Sequence, residues 1–326
     1  MLFVSTGAAP REVIAAETHA VEAVQNAVWI DLLNPTDAER SLVERGTGMR
    51  VPAREDLDEI ESSSRLNVER GALYLSTPMG YLDADGMAQA RPLGLVLSDK
   101  VLLTVRFANA RVFDQYSVRF AEIGRRPCSS EAFLGLLDAM VDRLADILEQ
   151  IRSELDAISQ RVFRPEPAKA NAAKTDMQLR ATLRSIGRAG DRLSTLRDSL
   201  LGVQRIVQFT GDNTVAFMPS DVRPRLNPLR QDIASLTDYD IQLSNKVQFL
   251  LDATLGFINI EQNNSIKILT VVSVVGVPPT LVASIYGMNF KWIPELQWEY
   301  GYFYGLGVIV LTAVIPYVWF KRKGWI

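Results

Sequence analysis

The tetrad Tyr286-Gly287-Met288-Asn289 places a phenol hydroxyl and a side-chain amide at one turn of the chain. Such a group is either a helix stop, since glycine and asparagine tolerate left-handed turns, or a selectivity element. Its setting is what gives that choice its weight. Residues 268–286 before it and 301–320 after it are uncharged and apolar, nineteen and twenty residues long. A helix crossing a hydrocarbon core of about 30 Å needs about 20 such residues. The chain therefore ends in a transmembrane hairpin, and the tetrad sits where it turns.

The first span carries a second pattern. Asn263, Ile266, Thr270, Ser273, Val277, Thr280 and Ser284 recur in alternating steps of three and four, so they share one helix face. Leu269 and Gly276 border that face, and bulky residues such as Val271, Val272, Val275 and Leu281 occupy the others. A stripe of small and hydroxylated residues suits a helix facing its own copies around a hydrated axis. It equally suits close helix packing in lipid.

Composition narrows the classes. The formal net charge is −3. Residues 1–266 hold 30 basic and 36 acidic residues, a net of −6, which does not suit nucleic-acid binding. One cysteine, Cys128, and one histidine, His19, allow neither an internal disulfide nor a histidine-cysteine zinc cluster. No glycine-rich phosphate loop follows a strand-like run. With no catalytic constellation, the chain is not read as an enzyme, and no cofactor is expected. The N-terminus shows no signal-peptide pattern. The run Lys321-Arg322-Lys323 after the second span fits the positive-inside rule, with both termini cytoplasmic and residues 287–300 external. The expected location is a cell (inner) membrane, with the lipid bilayer as one partner.

The elements that must hold these residues fall into blocks. Residues 1–126 read as an α+β cytoplasmic domain, with strand-like runs at 2–4, 28–32, 73–78, 93–97 and 101–107. Thr36 or Asp37 caps a helix running to about Gly46. Residues 127–220 read as a helical hairpin. One apolar seam runs from Leu137 to Val162 and is ended by Pro165-Glu166-Pro167. A second runs from Leu179 to Val207 and is broken at Gly211-Asp212-Asn213. Residues 221–286 form a stalk helix that enters the membrane without a turn signal, with a kink expected at Pro278-Pro279. From Leu229 to Tyr286 it would measure about 87 Å. The remaining blocks are the external loop 287–300, the second span 301–320 and the basic tail 321–326. Two spans enclose no pore, so the chain is either an anchor or one of several copies.

Tyr286-Gly287-Met288-Asn289-Phe290, then Ile293-Pro294-Glu295-Leu296, then Phe320-Lys321-Arg322-Lys323-Gly324-Trp325 after a second span, resembles the C-terminal signature of the CorA family of magnesium transporters. The resemblance implies a homopentameric channel: four further identical subunits, with the stalk helix lining the pore and Gly287-Met288-Asn289 forming an outer selectivity ring. It places pore constrictions at Asn263, Ile266, Leu269, Ser273 and Val277, where the heptad count prefers Thr270 to Leu269. A ring of neutral oxygens suits Mg²⁺, which dehydrates reluctantly, because it can bind the hydration shell without stripping it. Binding must also be weak enough for release. One departure stands out. The family usually has an acid shortly after Asn289, and here Lys291 takes that place. With Glu295 and Glu299 the loop nets −1, a weakened funnel for divalent cations.

The resemblance further implies regulation by Mg²⁺ held between cytoplasmic domains. The candidates are Glu55, Asp56 and Asp58, with Glu59 and Glu61 beside them, and Asp232, Asp238, Asp240 and Asp252 on the stalk. Each singly also suits a solvated acidic face. The favoured reading is uptake of Mg²⁺, with Co²⁺ and Ni²⁺ as further cargo. The alternatives are a zinc transporter resembling ZntB, left open by Lys291, and a membrane-anchored coiled coil without transport.

Overall fold

A computed structural model describes residues 1–7, 11–13, 19–59, 65–82, 88–123, 127–163, 172–213, 222–289, 291 and 293–325. Pro165-Glu166-Pro167, Glu61 and Phe290 lie outside them. The chain divides into two units, each taken by itself: Met1–Phe163 with Arg184–Leu250, and Arg164–Leu183 with Leu251–Ile326.

The first unit is built on a mixed seven-stranded sheet. Its strands are β1 (Leu2–Ser5), β2 (Arg11–Val13), β3 (Trp29–Leu33), β4 (Leu66–Glu69), β5 (Ala72–Leu82), β6 (Ala88–Leu97) and β7 (Leu102–Arg106). The spatial order is β2-β1-β3-β7-β6-β5-β4. Only β3 and β7 run parallel, with Asp31 opposite Thr104. Side chains alternate between the faces of a strand, and here both faces are covered. Ile30, Leu32, Leu103 and Val105 join Leu42, Val43 and Leu57 in one apolar core. On the other face Trp29 meets Tyr116 and Phe120, with ring centroids at 5.3 and 5.6 Å.

Short helices frame the sheet: α1 (Ala20–Gln25), α2 (Asp37–Thr47), α3 (Arg54–Asp58) and α4 (Arg111–Ala121). The capping box expected from the sequence is present. The Thr36 hydroxyl accepts the Glu39 N–H, and the Glu39 carboxylate accepts the Thr36 N–H. The helix ends one residue later than read, at Thr47, with Gly48 in the left-handed region. β2, β4, α1, α3 and α4 were not anticipated.

The helical hairpin is α5 (Ser129–Phe163) and α6 (Ala172–Asp212), and the stalk is α7 (Val222–Tyr286), which belongs to both units. The first seam is buried from Leu137 to Ile158, and the second from Ile186 to Val207. Helix α6 also reaches the sheet closely. A Cβ on Gly202 would collide with the Thr77 hydroxyl and stand 2.8 Å from the Thr77 Cβ. The Ser199 hydroxyl accepts the Gly80 N–H at 2.9 Å. Polar pairs then join the three helices. Arg197 donates to Asp240 and to Ser244, each at 2.7 Å, and Arg192 grips both oxygens of Glu154 at 2.8 and 2.7 Å. Lys246 bonds Asp156, and its ammonium holds that carboxyl below the usual range.

The second unit contains the membrane part of α7, a short 3-10 turn (Pro294–Gln297) and α8 (Gly301–Arg322). Among the described residues, α7 and α8 are the helices long and apolar enough to cross a membrane. Aromatic side chains crowd both ends of α8, exposed at Tyr300, Tyr302, Phe303 and Tyr304, and again at Tyr317 and Trp319. Such rings favour the two membrane interfaces.

Candidate functional site: the stripe on the first span and the turn beyond it

Burial divides the membrane part of α7 into two faces. Lys267, Val271, Val275, Pro278, Val282 and Tyr286 are half-buried and form one stripe. Its ends meet α8 and the turn that follows it: the Tyr286 ring lies 3.8 Å from where a Gly305 Cβ would stand, and Lys267 reaches the Trp325 ring beyond the end of α8. Asn263, Ile266, Leu269, Ser273, Val277, Thr280 and Ser284 are all exposed. At 100° per residue the centres of these two stripes lie about 150° apart. The face read from the sequence as pore-lining is thus the one α8 leaves uncovered. Thr270 differs from them: it is half-buried at the flank, whereas Leu269 is 67% exposed. Straight α-helical geometry turns it toward the margin of the stripe.

Three hydroxyls on the stripe or at its flank bond their own helix. Thr270 donates to the Ile266 carbonyl at 2.8 Å, Thr280 to Gly276 at 2.8 Å and Ser284 to Thr280 at 2.7 Å. Their protons are therefore occupied, and their oxygen lone pairs face outward as acceptors.

The helix ends at Tyr286, with the Gly287 N–H donating to the Ala283 carbonyl at 2.9 Å and the Met288 N–H to Ile285 at 3.2 Å. Neither Gly287 nor Asn289 has positive φ, since the described glycines with it are Gly7, Gly48, Gly71 and Gly324, and the other residues Asn34 and Arg70. The tetrad is not a left-handed helix stop, so backbone handedness does not account for its glycine. Met288, Asn289 and Lys291 are exposed, and Glu295 is half-buried. Among the described residues no ion pair joins Lys291 to Glu295 within the chain. The loop closes tightly all the same. The Glu295 carbonyl lies where a Gly301 Cβ would be, and Trp298 packs edge-on against Tyr304 at 5.7 Å.

A family model described as "CorA-like Mg2+ transporter protein" matches residues 24–322. The chain belongs to the CorA family. It is 33% identical over 304 residues to a magnesium transport protein CorA of Haemophilus influenzae, covering 93% of each chain. It is 34% identical over 311 residues to that of Escherichia coli K12, covering 95% of each. The complete structure of a CorA magnesium transporter from Methanocaldococcus jannaschii superposes with a TM-score of 0.76 at 20% identity, covering 100% of this chain and 99% of that one. The full-length CmaX protein gives 0.68 at 18% identity, covering 99% and 97%. At these identities the two structures speak to the CorA fold, which the α+β domain, long helix and two apolar C-terminal helices share.

The acidic candidates are scattered within one CorA chain, and no three described acids converge as a metal group. On α3, Asp56 bonds Arg50 at 2.7 Å and accepts the Ala53 N–H at 3.0 Å. Asp58 faces Arg54 at 3.7 Å, and Glu55 is exposed. Asp232, Asp238 and Asp252 are exposed on α7. Asp240 departs from the expected surface ligand. Its side chain is 1% exposed, and the Arg197 guanidinium already compensates its charge. The stalk turns it toward α6, a direction that spacing along α7 alone did not give. The sequence reading also passed over Arg192, Arg197 and Lys246, because their partners lie on other helices, tens of residues away.

Proposed function

We propose that the chain assembles as a homopentamer in the inner membrane and conducts hydrated Mg²⁺ inward, with Co²⁺ and Ni²⁺ as secondary cargo. The observation that carries this is the exposed stripe from Asn263 to Ser284, turned away from α8 and running up to Gly287-Met288-Asn289. A face of small and hydroxylated residues that the second span leaves open is suited to close packing against copies of the same helix. Five such faces around an axis would line a path with hydroxyl acceptors and with apolar rings at Ile266, Leu269 and Val277, of the kind that gate by dewetting.

In this reading the Asn289 amide oxygen and the Gly287 carbonyl bind the ion's water shell, and Met288 stands between them. Lys291 and Glu295 set the field at the entrance. Glu55, Asp56, Asp58, Asp232 and Asp252 remain the candidates for a regulatory Mg²⁺ between subunits. Asp240 is left out of that set. Magnesium is preferred to zinc because the two curated relatives described above are named for magnesium. Both termini are cytoplasmic by the positive-inside rule.

The test is ion uptake into liposomes holding the purified protein, comparing Mg²⁺, Co²⁺, Ni²⁺ and Zn²⁺ with and without a proton gradient. Uptake led by Mg²⁺ supports the proposal. Uptake of Zn²⁺ alone, or of none of the four, refutes it.

A further inference from the structure

The C-terminal end of α8 is a built cap. The Trp325 N–H donates to the Phe320 carbonyl at 3.1 Å and the Gly324 N–H to Lys321 at 3.2 Å, with Gly324 at φ +70°. These are the two hydrogen bonds of a Schellman motif, with its apolar contact in place. Phe320 is 3% exposed, and the Phe320 and Trp325 rings are 5.3 Å apart. The cap therefore fixes where the Trp325 ring stands. On that ring, at 5.9 Å from its centroid, sits the Lys267 ammonium. Lys323 is held in the same way over Trp319, at 4.3 Å.

Lys267 follows Ile266 directly, and it is the first charge met on entering the apolar span from its Asn263 end. It is half-buried on the face toward α8, about 100° around the helix from Ile266. A lysine has four rotatable carbons, so its charge can swing through a wide arc. We propose that Trp325 is a positioning residue that holds the Lys267 charge toward α8 and away from the cation path beside Ile266. This rests on the pore reading above. Released, five ammonium groups would gather around the Ile266 end of the proposed path and repel the divalent ions passing it. A cation over an aromatic face is attracted by the ring quadrupole, and tryptophan is the strongest such partner.

The experiment is divalent uptake by full-length protein in liposomes, with Mg²⁺ as the probe, for Trp325→Ala, Trp325→Phe, Lys267→Met and Trp325→Ala/Lys267→Met. Trp325→Ala is expected to slow uptake about 3- to 10-fold at low ionic strength and less at high salt. Adding Lys267→Met should restore the rate, and Trp325→Phe should stay near wild type because a ring remains. If the double variant is as slow as Trp325→Ala, the tryptophan acts by packing alone and the proposal fails. Unchanged uptake in Trp325→Ala with normal assembly overturns it as well. A wild-type protein that moves no divalent ion refutes the pore reading itself, which separates that failure from failure of the positioning role of Trp325.

Discussion

Asn289 carries the heaviest assignment of any side chain here. In the tetrad its amide is the only side-chain oxygen besides the Tyr286 hydroxyl, and Tyr286 packs toward Gly305. A hydrogen bond contributes about 0.5–1.5 kcal/mol net, so in the proposed pentamer five such amides around one hydrated ion would offer several kcal/mol of recognition. Asn289→Ala is expected to cut Mg²⁺ uptake about tenfold or more while expression and assembly stay normal, measured by flux at matched protein density. Wild-type uptake would return the motif to a structural role. Residue types and the place between two spans left the tetrad readable as a helix stop, and the resemblance to the CorA signature is what pointed to a selectivity element. The conformation of Gly287 was not legible. Glycine at a helix end suggested a left-handed stop, and only the backbone geometry removes that explanation. Thr270 shows the same limit. A strict heptad count keeps a residue on one face, whereas a straight helix drifts by about 20° each heptad.

At the level of elements, the long helices were readable because burial imposes a period of 3.6 over many turns. The strands Trp29–Leu33 and Leu102–Arg106 were readable because they are apolar and short. Arg11–Val13 and Leu66–Glu69 were missed because sheet edges bury little and so select few apolar residues. The contacts between elements leave no local trace at all. Gly202 is one. Alanine is a better helix former than glycine by about 1 kcal/mol, so propensity alone predicts that Gly202→Ala stabilises. The collision with Thr77, itself 2% exposed, predicts the reverse. Overpacking costs about 1–3 kcal/mol, so the variant should lower the unfolding temperature. A rise would mean that strand β5 yields. The Arg197–Asp240 pair gives an asymmetric prediction. Arg197→Ala leaves a buried carboxylate without its cation, which costs about 3–5 kcal/mol. Asp240→Asn leaves only an arginine that is 44% exposed and can hydrate, so it should cost about 1 kcal/mol. Equal losses in thermal unfolding would contradict the burial that sets them apart.

For the whole molecule, the assembly and the field at its entrance are the quantities at stake. If the exposed stripe faces an axis, the stable species in mild detergent has the light-scattering mass of five chains, and cysteines placed at Ser273 cross-link between subunits. A monomer, or cross-linking from positions on α8 instead, would favour the anchor reading. Lys291 then belongs to the ring as a whole. Two like charges ~4 Å apart interact by ~1 kcal/mol in bulk water, and a Debye length of ~8 Å at physiological salt screens those further away. Five exposed lysines beyond Asn289 should therefore depress cation capture modestly without closing the path. Lys291→Glu is expected to raise Mg²⁺ uptake a few-fold at low ionic strength and to matter much less at high salt, which initial rates across a salt series would show. An unchanged or lower rate at low salt would mean that Lys291 does not act through the field. A contact with Glu295 of a neighbouring subunit would then be the better account, since within one chain the two residues form no ion pair, and Glu295→Gln should reproduce the same loss.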